Sequence, residues 1–176
     1  MSMPPGKIRC HGCSFEAHLA VRPLTLRYHL PDGSSVDGYR QFGWCRQCET
    51  ITDVEERLDT KDLEDRVAAA TPKPTLLGRL FGAPGGGANQ AHTAELSRLN
   101  GQLRLARIRT SPPRCLRCGL TRVVHIYCDE GGNVVGTIHS CGKGLYHVPL
   151  DPDAPRFHYR PEVIHLDAEG RREHAR

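Results

Sequence analysis

The chain has 176 residues, of which 38% are hydrophobic and 6% aromatic, and it contains 18 glycines, 13 prolines and 8 cysteines. This length allows one ordinary domain or two small ones, and so few core-forming side chains require another source of stability. The first residues contain no apolar signal-peptide core, and no apolar run approaches the ~18 residues of a membrane span. We therefore expect a cytoplasmic protein without a membrane partner, in which clustered cysteines bind metal rather than form disulfides.

The formal net charge of +4 is weak evidence for a nucleic-acid partner. Two Zn²⁺ ions and seven thiolates would together add about three negative charges, which lowers the net charge of the loaded protein to about +1. A nucleic-acid partner must therefore be argued from local clusters of basic residues. The excess of Arg over Lys is typical of a protein from a GC-rich bacterial genome.

Residues 7–50 contain the first two cysteine pairs. Residues 24–30 alternate apolar and polar side chains, the sequence Pro-Asp-Gly-Ser that follows predicts a turn, and residues 36–44 supply a return strand. Each CxxC turn places two sulfurs on one side of a tight loop, and a hairpin would bring the two loops together. We expect a closed structural zinc site, with these four ligands: Cys10, Cys13, Cys45 and Cys48.

Residues 51–92 separate the two cysteine-rich halves. Residues 51–70 are acidic and predict a surface helix or two short ones, with Thr52 or Asp53 as the N-cap. Its apolar stripe would contain Val54, Leu58, Leu63 and Val67. Residues 71–92 predict a flexible Pro/Gly linker. Four apolar residues within it would pack against a neighbouring domain or dock a partner: Leu76, Leu77, Leu80 and Phe81.

Residues 93–110 predict the strongest helix of the chain. Its apolar stripe follows 3-4 spacing and contains Leu96, Leu99, Leu103 and Ala106. Arginine stems on both flanks would cover this stripe. The alternative is a short dimer seam through Leu96 to Leu103.

Residues 112–168 predict the second metal site and a strand extension. Cys115, Cys118 and Cys141 lack a regular fourth cysteine, and the fourth ligand is His139, Cys128, a substitute histidine (His125 or His147) or water. Residues 121–128 and 134–140 predict a hairpin with its turn at 129–133. Cys128 would then lie roughly 20 Å from the metal, so we expect His139 to be the fourth ligand. The tail predicts one or two further strands, around Phe157, Tyr159 and residues 163–166.

Paired cysteine knuckles joined by a β-hairpin resemble the zinc-ribbon group, with CLRCG and SCGKG carrying the likeness. The four-cysteine plan of residues 10–48 is also similar to the rubredoxin knuckle. The resemblance implies a small α+β fold made of two zinc-ribbon β-hairpin modules, joined by helices and a Gly-rich linker. Zinc ribbons occur in nucleic-acid-binding, transcription-related and protein-docking proteins, so the resemblance leaves the partner open.

Three functions follow from these patterns. The first is a non-catalytic protein-interaction adaptor that holds two structural zinc ions. The second is a nucleic-acid-binding protein, possessing five candidate arginines: Arg104, Arg107, Arg114, Arg117 and Arg122. The third is an enzyme with an open zinc site of the hydrolase type at residues 115–141, but the sequence contains no recognised catalytic motif. We expect the first, with no catalytic residues.

Overall fold

The computed structural model describes residues 6–19, 22–71, 90–150 and 160–173. Within these ranges the chain is α+β, with two helices and eleven mostly short strands. The elements are β1 (Gly6–Cys10), β2 (Glu16–Leu19), β3 (Leu24–His29), β4 (Ser35–Gly38), β5 (Arg40–Cys45), β6 (Thr50–Glu55), α1 (Thr60–Ala70), α2 (Gln90–Ile108), β7 (Val123–His125), β8 (Tyr127–Cys128), β9 (Asn133–Val135), β10 (Leu145–Pro149) and β11 (Glu162–Asp167).

The first sheet joins the beginning of the chain to its C-terminal half. Its strand order is β2-β1-β10-β9-β8. β1 pairs with β10 in an antiparallel register that places Cys10 opposite Leu145. Ile8 and Leu145 of these strands are buried in the core beneath the sheet, together with Trp44 and Ile126. We call this the terminal sheet.

A second sheet, which we call the central sheet, has the order β6-β5-β7. β5 pairs with β6 and also with β7, and the second pairing places Cys45 opposite Val123. The third sheet has the order β11-β3-β4, with β11 parallel to β3. Its core contains Leu26, Tyr28 and Leu166, on which Leu105 of α2 packs.

The two halves of the chain therefore contribute strands to the same sheets. Residues of the predicted first module supply β1, β3 and β5, and residues of the predicted second module supply their partners β10, β11 and β7. The predicted domain boundaries stay a prediction. Strand pairing between distant segments was not encoded in the local patterns from which we derived those boundaries.

Helix α1 begins later than the sequence predicted. Residues 50–55 form strand β6, and the N-cap is Asp59, whose side chain accepts hydrogen bonds from the Lys61 and Asp62 backbone N–H groups. The predicted caps Thr52 and Asp53 and the stripe residue Val54 lie in the strand, where Val54 is fully buried. β-branched residues fit the half-buried pleat of a strand better than a helix, which accounts for the difference.

Helix α2 packs on α1 through its predicted apolar stripe. Leu99 and Leu103 form a small core with Leu63 of α1, and Ala106 packs against it. The predicted dimer seam is therefore used within the chain, because α1 covers its central leucines. None of the helices in the described ranges is both long and apolar enough to cross a membrane.

Both predicted hairpin turns are present. β3 and β4 pair across the turn at residues 31–34, with Tyr28 opposite Val36, and β8 and β9 pair across the turn that begins at Asp129. Strand β11 lies where the tail predicted a strand. The central part of the predicted linker, the leucine motif from Leu76 to Phe81, and the residues Phe157 and Tyr159 lie outside the described residues.

A buried ion pair ties the third sheet to the central sheet. Glu55, at the end of β6, has no solvent exposure and accepts hydrogen bonds from Arg109 at 2.6 and 3.0 Å, from the Tyr28 hydroxyl at 2.9 Å and from the Arg114 backbone N–H at 2.6 Å. Burial raises the pKa of Tyr28, and the Glu55 charge raises it further. Gly170 has a φ of +73°, and a Cβ there would overlap the carboxylate. The pair is thus almost completely buried and fully hydrogen-bonded at its carboxylate.

Candidate metal centres

Eight side chains form two clusters that could each hold a metal ion. The first, which we call the outer site, consists of Cys10, Cys13, His139 and Cys141. The second, the inner site, consists of Cys45, Cys48, Cys115 and Cys118. In each cluster the ligand atoms lie within 4.8 Å of one another.

Two of the ligand pairs lie on tight turns whose own backbone closes them. The Cys10 N–H donates to the Phe15 carbonyl at 3.2 Å, and the Cys115 N–H donates to the Leu120 carbonyl at 2.9 Å. Backbone N–H groups also point at sulfur: Gly12 donates to Cys10 Sγ, and Arg117 to Cys115 Sγ, both at 3.4 Å. Such bonds favour the thiolate form that a metal requires.

The spacing of the ligand atoms matches a tetrahedral cation. The Sγ–Sγ distances are 3.4 Å for Cys10 and Cys141, 3.6 Å for Cys45 and Cys118, and 4.0 Å for Cys48 and Cys115. Four sulfurs about 2.3 Å from a central ion would lie about 3.8 Å apart. A disulfide would instead require about 2.05 Å. All the cysteines are free, so the geometry favours metal coordination.

His139 presents Nδ1 to the outer site. This atom lies 3.2 Å from Cys141 Sγ and 3.4 Å from Cys13 Sγ. The ring packs against Phe15, with centroids 4.6 Å apart, and meets the edge of Trp44 at 5.9 Å. The two aromatic rings restrict the orientation of the imidazole, as the surroundings of a metal-ligating histidine usually do. Phe15 follows Cys13 by two residues and Trp44 precedes Cys45, so their proximity to cysteine ligands in the sequence was a signal that these rings contact a metal site.

The two sites differ in burial and charge. Cys45 and Cys115 are buried in the inner site, whereas three of the outer ligands lie nearer the surface. Burial raises the pKa of the Cys48 thiol, with hydrogen bonds to Cys118 and Cys45 adding to the rise, and burial also raises the pKa of Cys115. A cation at the centre would favour the thiolate form of both groups. Four thiolates would leave a divalent ion with two excess negative charges, and the outer set would leave one.

The predicted grouping of ligands is wrong, although the eight predicted ligands are those of the two clusters. The sequence suggested Cys10 and Cys13 with Cys45 and Cys48. The structure exchanges the partners because β1 pairs with β10, which places residues 139–141 beside Cys10, and β5 pairs with β7, which places Cys118 beside Cys45. The inner site is nested in sequence between the two halves of the outer site.

The second hairpin also departs from its predicted course. Residues 121–128 do not form one strand: β7 joins the central sheet and β8 joins the terminal sheet, with the buried Ile126 between them. Opposite this break, Gly136 has a φ of +101°, and a Cβ there would lie 2.8 Å from the His125 carbonyl oxygen. Cys118 and Cys141 are therefore directed to different sites.

Cys128, as expected, belongs to neither cluster in the described part of the chain. It packs against the core of the terminal sheet. The substitute ligands also lie elsewhere: His125 Nε2 bonds the Glu55 carbonyl oxygen at 2.9 Å, and His147 is on β10.

The five arginines suggested for nucleic acid do not form one free surface. Arg104 is ion-paired with Asp32, and Arg107 with Glu64. Arg114 donates to the carbonyl oxygens of Glu169 and Gly119. Arg117 and Arg122 are exposed beside the inner site.

Comparison with protein-family models, with curated proteins and with solved structures finds no match to this chain. The two clusters are compatible with sites of the zinc-ribbon type, and their geometry defines the chain as a small α+β protein with two candidate metal centres.

Proposed function

We propose that this chain is a cytoplasmic, non-catalytic zinc protein that acts as a protein-interaction adaptor. The observation that carries the proposal is that protein atoms occupy every corner of both candidate tetrahedra. A catalytic zinc ion needs a position open to water or substrate, whereas a structural ion is closed by four protein ligands. A reducing cytosol keeps the seven ligand thiols available for metal.

Zinc is the metal that suits both ligand sets. Tetrahedral coordination by sulfur and imidazole nitrogen is typical of Zn²⁺, and a set of three cysteines and one histidine is common among structural zinc sites. A Cys₄ set alone also suits iron, but the outer site contains the Nδ1 atom of His139. The same metal at both sites is therefore best explained as zinc.

The adaptor role is supported by apolar side chains beside the metal ligands. Ile138 precedes His139 and is 65% exposed, and Leu120 follows the inner-site ligand Cys118 by two residues and is 43% exposed. Each is held on a turn whose backbone the metal would fix. Rigid loops that present apolar anchors lose little entropy on binding, which favours recognition of another protein.

Native mass spectrometry and cobalt substitution test the metal assignment. We expect two zinc ions per chain, and in the Co²⁺ form the intense visible bands of tetrahedral thiolate coordination at both sites. One ion or none per chain, or octahedral Co²⁺ bands, would contradict the structural role.

Crosslinking followed by capture of partners from the native cell tests the adaptor role. Ile138→Ser and Leu120→Ser should each reduce the yield of specific partners while zinc content stays at two. Tyr39→Ser is the control, because Tyr39 is 52% exposed and precedes the end of β5 opposite to Cys45, roughly 20 Å along the strand. Loss of all partners in the control, or no partner for the unaltered protein, would count against an adaptor.

A further inference from the structure

Three arginines lie around the inner site on its two turns. The Arg46 backbone N–H donates to the Arg122 carbonyl at 3.0 Å, directly beside the pairing of Cys45 with Val123. Arg117 lies on the opposite turn, where its backbone N–H donates to Cys115 Sγ. The four sulfurs of the site lie within 4.8 Å of one another, so the three arginines flank one site on its two turns.

In the described ranges, the guanidinium groups of Arg46, Arg117 and Arg122 make no hydrogen bond or ion pair, and all three residues are exposed. Other arginines of the fold are engaged, for example Arg104 with Asp32 and Arg109 with Glu55. Exposed Leu120 lies in the same stretch, between Arg117 and Arg122. We call these four residues the arginine surface.

The charge around this surface does not favour a polyphosphate chain. A divalent ion with four thiolates carries about two negative charges, and Glu49 on the same turn adds another, so the three arginines are nearly balanced at long range. Polyphosphate binding relies on net positive charge, and single-stranded nucleic acid also needs aromatic side chains for stacking. Among the residues that the structure describes, the exposed aromatic side chains Tyr39 and Tyr127 lie outside the inner-site turns.

Guanidinium groups also bind carboxylates through short-range contacts that do not require a net positive charge. Each guanidinium can form two short hydrogen bonds to one carboxylate, and an apolar residue between the carboxylates can contact Leu120. We propose that the arginine surface docks an acidic segment of a partner protein in which apolar side chains alternate with Glu or Asp. This inference rests on the proposed adaptor function and names the chemistry of the partner.

The experiment measures binding of short fluorescent probes to the zinc-loaded protein at about 20 mM salt, where surface charges are weakly screened. The probes are a peptide of repeated Glu-Glu-Leu, a peptide of Glu alone and a thymidine oligonucleotide of similar length. The variant R46A/R117A/R122A is compared with R27A/R66A/R107A, which removes the same charge from ion-paired arginines on other surfaces.

We expect the Glu-Glu-Leu peptide to bind best, and R46A/R117A/R122A to weaken it by at least about tenfold, since each exposed charge contact contributes a modest amount. Leu120→Ser should weaken this peptide by about threefold or more and leave the Glu peptide unchanged. The control variant should bind like the unaltered protein. Tighter binding of the oligonucleotide, equal losses in both triple variants, or no peptide binding would overturn the inference.

Capture of cellular partners with R46A/R117A/R122A separates this inference from the adaptor function. Retention of every partner by this zinc-loaded variant would refute the arginine surface and leave the adaptor role intact. If the unaltered protein captured no partner, the adaptor role would itself fail. Loss of the same partners together with loss of peptide binding supports both.

Discussion

Glu49 has a positive φ, a conformation that glycine adopts directly after two other metal ligands. Its φ is 49°, and it follows Cys48, whereas Gly119 follows Cys118 with a φ of 76° and Gly142 follows Cys141 with a φ of 79°. In the left-handed region a side chain clashes with the following carbonyl, which costs about 1–2 kcal/mol, and glycine avoids this clash. All three turns thus require a positive φ after the ligand, and the turn at Glu49 adopts it with a strained non-glycine residue.

Glu49→Gly should therefore increase the free energy of unfolding of the zinc-loaded protein by about 0.5–1 kcal/mol, after the larger chain entropy of glycine is subtracted. Urea denaturation measures this. Gly119→Ala provides the opposite case: a Cβ there has open space, but the φ of +76° is strained, so we expect a loss of about 1–2 kcal/mol. A destabilised Glu49→Gly variant would show that the side chain contributes more than its strain costs.

The Glu55 pair acts at the scale of elements, because it connects β3, β6 and the end of α2. The Arg109 side chain is 7% exposed, and Glu55 has no exposure. Burial lowers the pKa of Arg109, but the hydrogen bonds and charge of Glu55 outweigh this and raise it. Removing one charge leaves the other buried without compensation.

Glu55→Gln should lower the free energy of unfolding by about 3–5 kcal/mol. Tyr28→Phe, which removes a single hydrogen bond, should cost about 1 kcal/mol. Glu64→Gln is the control, because it breaks the exposed ion pair with Arg107 and should cost less than about 1 kcal/mol. Equal losses for Glu55→Gln and Glu64→Gln in urea denaturation would contradict a special role for the buried pair.

Glu169, in the turn after β11, forms hydrogen bonds to the residues that follow α2, and the strength of this contact depends on pH. Backbone N–H groups of Thr110 and Ser111 donate to its carboxylate at 3.1 and 2.8 Å and lower its pKa to about 2. Because the folded-state pKa is below the unfolded value of about 4.3, the stabilisation is fully present above pH ~5. It is lost as the pH falls from about 4.3 towards 2.

Glu169→Gln should therefore be less stable than the unaltered protein at pH 6, and the difference between them should shrink as the pH falls to 3. Denaturation at a series of pH values measures the two curves. Subtracting the free energy of unfolding of the variant from that of the unaltered protein at each pH removes the contribution of the carboxylates that both proteins share. A difference that stays constant with pH would exclude the carboxylate charge as its source.

Local features of this fold could be predicted from sequence, and long-range pairing could not. The ligands on CxxC turns, the turn at residues 31–34 and the stripe of α2 depend on residues a few positions apart, which the sequence displays directly. The choice of partner for each turn depends on β5 pairing with β7 and on β1 pairing with β10, which join segments far apart in the sequence. Nothing in the spacing of Cys10, Cys13, Cys45 and Cys48 reveals that register.

At the scale of the whole molecule, the nested grouping of ligands can be distinguished from a consecutive one by metal count. Cys13→Ser/Cys141→Ser removes two ligands from the outer site only, so we expect one zinc ion per chain in native mass spectrometry. Cys13→Ser/Cys48→Ser removes one ligand from each site, and should reduce the binding of both ions. If the ligands were grouped consecutively, Cys13→Ser/Cys48→Ser would lose one ion only, and Cys13→Ser/Cys141→Ser would weaken the binding of both.

Cys128→Ser is the control for these double variants. Its thiol contacts the core of the terminal sheet and lies in neither cluster, so the variant should retain two zinc ions. Its stability should fall by about 1 kcal/mol or less, as expected for a small change at a half-buried position. Loss of a zinc ion from this variant would require a different ligand set.

Nesting also fixes the order in which the sites can be completed on the ribosome. When residue 48 has emerged, four thiols are available that could trap an ion between Cys10, Cys13, Cys45 and Cys48, but neither native site has all its ligands. The inner site becomes available only after Cys118 is synthesised, and the outer site only after Cys141. Zinc that arrives too early would thus favour a misligated intermediate, and productive folding requires the metal to exchange or to arrive after the β-sheets have paired.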